Sequence, residues 1–355
     1  MRFEELKKDI IDPGFCIHCG ACTAFCNRLK LNLKPELVEE CVATCSSPYG
    51  EHGLCYEHCP MVRVIEARHI FPQGEGGILG NYKGIKSARS KEDEVLKNAQ
   101  DGGVATSILA AAFKTGKIDA ALIVGRDELW KSAPRLITSL DELKGSGGSK
   151  YTETPAVHLL GKASRDGAKS IAVVAVSCQI QALRNLEYSL LYPDGFSPYS
   201  DLKIYVIGLF CSGAFSYERL LQKLDVDPKE IEKMDVEEGD FTLHYNGKVK
   251  KIPLKELKDA MMPSCRLCRD YTAKLADISL GSIGTKPGWT TVIERNLKGW
   301  GLLRDAQNEG LVEVKEDVDK EKLERIVKKR LDRIEKRIKR RLEEKLPLPP
   351  VTFQE

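Results

Sequence analysis

The apolar positions of this chain change texture twice. From about residue 82 to residue 294, short runs rich in Val, Ile and Leu alternate with patterns whose apolar positions recur every three or four residues. The runs at 82–89, 119–125, 170–176, 203–210 and 290–294 predict strands, and the patterns at 104–116, 153–166, 179–190 and 215–224 predict helices. Such alternation predicts an α/β core built on a largely parallel or mixed sheet. Further on, Leu323, Val327, Leu331, Ile334, Ile338, Leu342 and Leu346 form a single stripe, which predicts one amphipathic helix across 317–346, ended by the prolines of 346–350. Residues 1–71 differ from both, with too few large apolar side chains to close a core unaided, as in small domains that a metal staples. The glycine-rich stretch 72–81 reads as a linker. The expected organisation is therefore an amino-terminal module at 1–71, a linker at 72–81, a core at 82–312 and a helical extension at 313–355.

Composition narrows the classes. With 42% hydrophobic and 30% charged residues among 355, the chain reads as a soluble globular protein. No run of 18 apolar residues is present to span a bilayer, and the polar start MRFEELKKDIID has no signal-peptide character. The expected location is the cytoplasm, or the periphery of a membrane complex. A formal net charge of +3 excludes a bulk electrostatic case for nucleic-acid binding. Residues 317–346 hold thirteen Lys/Arg against eight Asp/Glu, a net of +5, so the remainder is near −2 and the basicity is local. That helix is either a solvated element lying on its own domain or a docking arm for a partner.

Twelve cysteines in a reducing compartment are metal ligands, redox groups or packing residues before they are disulfides. Eight lie between residues 16 and 59. Cys16-x-x-Cys19-x-x-Cys22-x-x-x-Cys26 is the bacterial ferredoxin run, in which the fourth cysteine reaches the other cluster. The second run, Cys41, Cys45, Cys55 and Cys59 followed by Pro60, keeps the closing Cys-Pro but not the regular spacing. Crossed ligation assigns Cys16, Cys19, Cys22 and Cys59 to one 4Fe-4S cluster and Cys26, Cys41, Cys45 and Cys55 to a second. The insertion around 46–54 makes the second set the weaker one. A structural zinc module is the alternative. His18, His52 and His58, among eight thiols, read as solvent-facing loop residues rather than ligands. The other four cysteines make a third set. Cys178 and Cys211 each follow an apolar strand, where the carboxyl ends of parallel strands converge on a ligand edge, and Cys265-x-x-Cys268 is an incomplete metal pair. Taken singly, Cys178 and Cys211 are also ordinary buried hydrophobes; together with the pair they make a four-cysteine cluster site.

Clusters pass single electrons whereas metabolic donors deliver hydrides, and a flavin joins the two. No strand is followed by G-x-G-x-x-G, which disfavours a Rossmann dinucleotide site. Gln100-Asp101-Gly102-Gly103 ahead of a helix, and Gly281-Ser282-Ile283-Gly284, are glycine loops that can hold a phosphate through backbone amides, or serve simply as turns and caps.

The segments AQDGG (99–103), GSKYT (148–152), VSCQ (176–179), LFC (209–211), CRLCRDY (265–271), LADISLGSIG (275–284) and GWTTVI (288–293) together resemble one family, in the same order: the beta subunits of coenzyme F420-reducing hydrogenase and coenzyme F420 dehydrogenases, found mainly in methanogenic archaea. The resemblance covers about residues 80–350. It implies a core that binds FAD and a 4Fe-4S cluster and exchanges a hydride with coenzyme F420, an oxidoreductase activity. It also implies cluster ligation by Cys178, Cys211, Cys265 and Cys268, although Ser177 stands where the family usually has Pro. Flavin contacts carried over by motif are Gln100, Asp101, Gly102, Gly103, Thr106, Lys150, Tyr151, Thr152, Gln179, Gly281, Ser282 and Gly284. The amino-terminal module resembles that of the electron-input subunit of F420H2 dehydrogenases and of the deazaflavin-oxidising half of some sulfite reductases. The implied electron partners are a membrane F420H2 dehydrogenase complex, a heterodisulfide reductase, a formate dehydrogenase subunit or a ferredoxin. Alternatives are a related FAD/iron–sulfur reductase acting on another substrate, as plant hydroxymethyl-chlorophyll reductases do, and a zinc-stabilised adaptor without catalysis.

Overall fold

The computed structural model describes residues 2–32, 34–41, 45, 53–71, 76–144, 146–189, 197, 199–237 and 239–353. Residues 72–75 of the expected linker, His52 and most of the 46–54 insertion lie outside them.

Eight strands form the main sheet: β1 (Gly84–Ser90), β2 (Ala120–Arg126), β3 (Ser132–Ile137), β4 (Ser170–Val176), β5 (Lys203–Leu209), β6 (Ile278–Gly281), β7 (Thr290–Glu294) and β8 (Val312–Lys315). Their order is β8-β1-β7-β6-β5-β4-β2-β3. Neighbours β2, β4, β5 and β6 pair in parallel, while β3, β7 and β8 run against their neighbours. The sheet is thus mixed, with β1, β2, β4, β5 and β6 all ending on one edge. The centre is buried on both faces: Ile171, Ala172 and Val173 of β4 and Val206 and Ile207 of β5 are inaccessible, as their continuous apolar runs require.

The helical pattern at 153–166 becomes a 3-10 turn at Ala156–Leu159 and a short α-helix at Leu160–Arg165, beginning after Pro155. The sequence pattern does not single out the antiparallel sheet of Ile231–Glu237, Asp240–Tyr245 and Lys248–Pro253. Its sign was the Asn246-Gly247 pair, both residues at positive φ (46° and 66°), which closes the second hairpin.

The described amino-terminal residues share a core with the sheet. Phe3, Leu6, Ile10, Phe15 and Ile17 share one apolar cluster with Leu122, Ile171, Val173, Leu183 and Val206. Two glycines permit that approach. A Cβ on Gly161 would lie 2.3 Å from Ala24 O, and one on Gly20, held at φ +78°, would lie 2.7 Å from His158 Cβ. Val157 N donates to Cys19 O at 3.1 Å across the same seam.

The carboxy-terminal helix spans Lys320–Glu343, started by Asp319, whose side chain accepts from Lys322 N. Leu323 and Val327 pack with Leu79 and Ile293, and Ile334 and Ile338 join the cluster shared with the amino-terminal residues. Of the two readings of its stripe, the structure shows the helix lying on its own chain; Leu342 and Leu346, past the contact, are exposed.

Candidate functional site at the carboxyl edge of the sheet

Parallel strands deliver their carboxyl ends to one edge, and most of the candidate residues collect there. Cys178 stands in the first turn of the helix Ser177–Glu187 that follows β4. Cys211 follows β5, its N–H bonded to Tyr271 O at 3.0 Å. Cys265 belongs to the turn Pro263–Arg266, and its Sγ accepts from Ala214 N at 3.3 Å. Burial pushes the Cys211 thiol up to about 11 and that of Cys265 to about 12, and raises Cys178 and Cys268 as well. The next contribution at Cys178 is the charge of Cys268, Cys265 and Cys211. The four thiols therefore lie within mutual electrostatic reach, and a bound metal would deprotonate them outright.

The amino-terminal thiols sort in the same way. Cys22 is raised by burial and then by Cys19, Cys16 and Cys59, and Cys59 by burial and then Cys19. Cys55 is pushed to about 12 by burial and then by Cys45, Cys41 and Cys26. Cys26, Cys41, Cys45 and Cys55 line one cavity of about 480 Å³, together with Gly161, Arg165 and Tyr199. The sets meet in sequence: Cys19 bears on Cys178, and Cys55 bears on Cys22. Among the described residues, no three His, Cys, Asp or Glu side chains stand as a group able to hold a single metal ion.

The histidine expectation is corrected. His18 is 8% exposed and His58 1%. Burial lowers each to about 4, so both are neutral at pH 7. His58 donates from Nδ1 to Leu54 O at 2.8 Å and accepts at Nε2 from Ser189 Oγ at 2.6 Å. The cause is the docking seam, which covers the loops that carry them.

The loops carried over by motif meet in part. Tyr151 Oη donates to Gln100 Oε1 at 3.1 Å, joining the two polar segments. Gly102 must be glycine, because a Cβ would meet Ala88 O at 2.7 Å, and Gly103 turns left-handed (φ +69°) to open the helix Val104–Lys114. No side chain caps that helix, whose first turn holds Thr106. Lys150 Nζ is spent within its own loop on Ser146 O, Gly147 O and Gly148 O, at 2.7, 2.7 and 2.9 Å. The Thr152 hydroxyl pairs with Ser132 Oγ at 2.6 Å. Buried Gln179 donates to Thr154 O at 2.9 Å, while its Oε1 has no partner. Past β6, the Phe210 ring fills the space beside Gly281, Ser282 is exposed, and Gly284 (φ +98°) accepts from Asp319 N at the foot of the carboxy-terminal helix. Asp101 is half-buried at the same edge.

Sequence reasoning passed over Arg330, one of thirteen cations in 317–346. Its guanidinium lowers the Cys211, Cys265 and Cys268 thiols against the effect of burial. No periodicity could have singled it out, since only the docked helix shows which cation faces the thiols.

Residues 85–161 match the family model described as coenzyme F420 hydrogenase/dehydrogenase, beta subunit N-term, and residues 168–320 match the companion model for the C terminus of the same beta subunit. The chain is 38% identical over 244 residues to the coenzyme F420 hydrogenase subunit beta of Methanothermobacter thermautotrophicus, covering 67% of this chain and 86% of that one. It is 33% identical over 337 residues to the coenzyme F420-dependent sulfite reductase of Methanocaldococcus jannaschii, covering 91% of this chain and spanning 50% of the relative. A chain of the F420-reducing NiFe hydrogenase complex from Methanosarcina barkeri has the same fold, with a TM-score of 0.69 and 32% identity over 76% of this chain and 95% of its own.

Proposed function

Because the chain belongs to the coenzyme F420 hydrogenase/dehydrogenase beta-subunit family, we propose that it exchanges a hydride between coenzyme F420 and FAD and passes single electrons through three 4Fe-4S clusters to a protein partner. The observation that carries this reading is the meeting of Cys178, Cys211, Cys265 and Cys268 at the sheet edge that also bears Gln100–Gly103 and Gly281–Gly284. The donor chemistry fits: each of the three sets offers four thiols, the ligand number of a 4Fe-4S cluster. A flavin fits as well, since the uncapped amides from Gly103 to Thr106 suit a phosphate and the orphaned Gln179 Oε1 offers a buried acceptor.

When bound, FAD takes up a hydride and releases electrons singly, and the clusters carry them one at a time. The chain's own part is to bind, orient and exclude water. The first turn of Val104–Lys114 presents backbone N–H groups at the positive end of a helix dipole. Gly102 lets that turn pack directly on β1 and β7. The Tyr151–Gln100 hydrogen bond fixes the adjoining loop, and Lys150, by tying three carbonyls, stiffens it instead of reaching a ligand. Cys178 lies towards Cys19, and Cys22 towards Cys55, so clusters held by Cys16/Cys19/Cys22/Cys59 and by Cys26/Cys41/Cys45/Cys55 would stand in line outward from the core set. The chain spans about half the length of the sulfite reductase relative, and we read the matched part as an electron-input unit. The candidate partners are a membrane F420H2 dehydrogenase complex, a heterodisulfide reductase, a formate dehydrogenase subunit or a ferredoxin.

Anaerobically purified protein should be brown, carry flavin and about twelve iron atoms by ligand count, and oxidise reduced coenzyme F420 with an artificial acceptor. Colourless protein containing zinc would sink the reading, and loaded protein that does not turn over coenzyme F420 would leave a reductase of another substrate. Cys265→Ala should retain flavin reduction and lose electron delivery; unchanged delivery refutes the proposed route.

A further inference from the structure

The carboxy-terminal helix holds the Cys265–Cys268 segment at two points and the loop after Cys211 at a third. Arg330 Nη1 donates to Ser212 O, next to Cys211, at 2.7 Å; Glu335 pairs with Arg269 at 2.7 Å; and Arg337 Nη1 donates to Arg266 O at 2.7 Å. Of these, only Arg330 turns its charge on the thiols. Its Cζ lies 5.7 Å from the Tyr271 ring centroid, and its Nε is buried with no hydrogen-bond partner. A buried guanidinium nitrogen left open beside Cys211, Cys265 and Cys268 is a donor that a cluster sulfur can use. The carboxylate beside the same thiols is Asp270, which accepts from Lys274 N at 3.0 and 3.2 Å.

Resting on the cluster reading above, we propose that Arg330 is a positioning residue that sets the reduction potential of the cluster held by Cys178, Cys211, Cys265 and Cys268. Reduction adds one negative charge to the cluster and its ligands. A fixed cation beside the cluster stabilises that reduced state and raises the potential, as do hydrogen bonds to cluster sulfurs. Arg337 is committed to Arg266 O, and the exposed cations of this helix, such as Lys328, are screened within about 8–10 Å. The helix thus makes the core cluster the readier electron acceptor, and its seating becomes part of the electron route.

The test is a redox titration followed by electron paramagnetic resonance on the anaerobic full-length protein. The core signal is identified by its loss in Cys265→Ser. Arg330→Gln should keep wild-type iron and lower the core midpoint by the equivalent of at least a tenfold change in the reduction equilibrium, about 59 mV for one electron. The amino-terminal signals should not move, nor should any signal in Lys328→Gln, which removes an exposed charge from the same helix. Arg330→Lys keeps the charge but loses the planar fork and should fall by less. An unchanged core midpoint in Arg330→Gln, or in Arg330→Lys where the first variant does not load, overturns the inference. So does an equal shift in Lys328→Gln. Wild-type protein without iron would instead overturn the cluster reading itself.

Discussion

Arg184 has no exposed side-chain surface, and Asp277 and Glu187 answer its charge. Its Nε donates to Leu275 O at 2.9 Å, and Asp277 also accepts from Val206 N at 2.7 Å, tying the helix Ser177–Glu187 to β5 and to the approach of β6. A buried pair is weak evidence of net stabilisation, yet removing one partner leaves the other charge unpaired in the interior. Arg184→Met should therefore cost about 3–5 kcal/mol, read as a fall in the denaturant midpoint; a loss below about 1 kcal/mol would mean the pair behaves as a solvated one. At this scale the thiols were legible and their surroundings were not. Crossed ligation reads the amino-terminal cysteines as two sets, whereas the covering of His58 depends on Ser189, more than a hundred positions away.

At the scale of elements, strands β4 and β7 appear where their apolar runs predict them, because a strand buried on both faces needs little beyond a continuous hydrophobic run. The short edge strand β8 was not legible because its partner β1 is distant in sequence, and the small sheet of 231–253 because charged residues interrupt its apolar positions. The break in the expected 153–166 helix has a local sign in Pro155 and a tertiary one in Gly161. Gly161→Ala tests the second. Helix propensity favours alanine by up to about 1 kcal/mol, but the new Cβ meets Ala24 O at 2.3 Å. Overpacking of that kind costs about 1–3 kcal/mol, so the clash should win, with a lowered thermal midpoint and less iron in the amino-terminal module. A variant of full stability and iron content would show that the two backbones do not meet there.

For the whole molecule, the amino-terminal module and the sheet share one apolar cluster, but their internal supports differ. The described residues of 2–71 form short helices and a two-stranded hairpin, whereas the core is held by the eight strands of the main sheet. If thiol ligation holds the module together, stripping iron with a chelator should open it first. Limited proteolysis should then cut within 1–71 while a fragment beginning near residue 82 persists; simultaneous loss of both would show that metal binding supports them equally. The sequence by itself determined the α/β alternation, the grouping of twelve cysteines into an amino-terminal eight and a core four, and the amphipathic stripe of the last helix. Each of these is a local matter of period or spacing. Tertiary structure alone decided that β3, β7 and β8 run against the rest, that His18 and His58 are buried, and that Arg330 is the cation facing the thiols. These depend on which surfaces meet across long separations, and the energy of such contacts leaves no periodic trace in the order of residues.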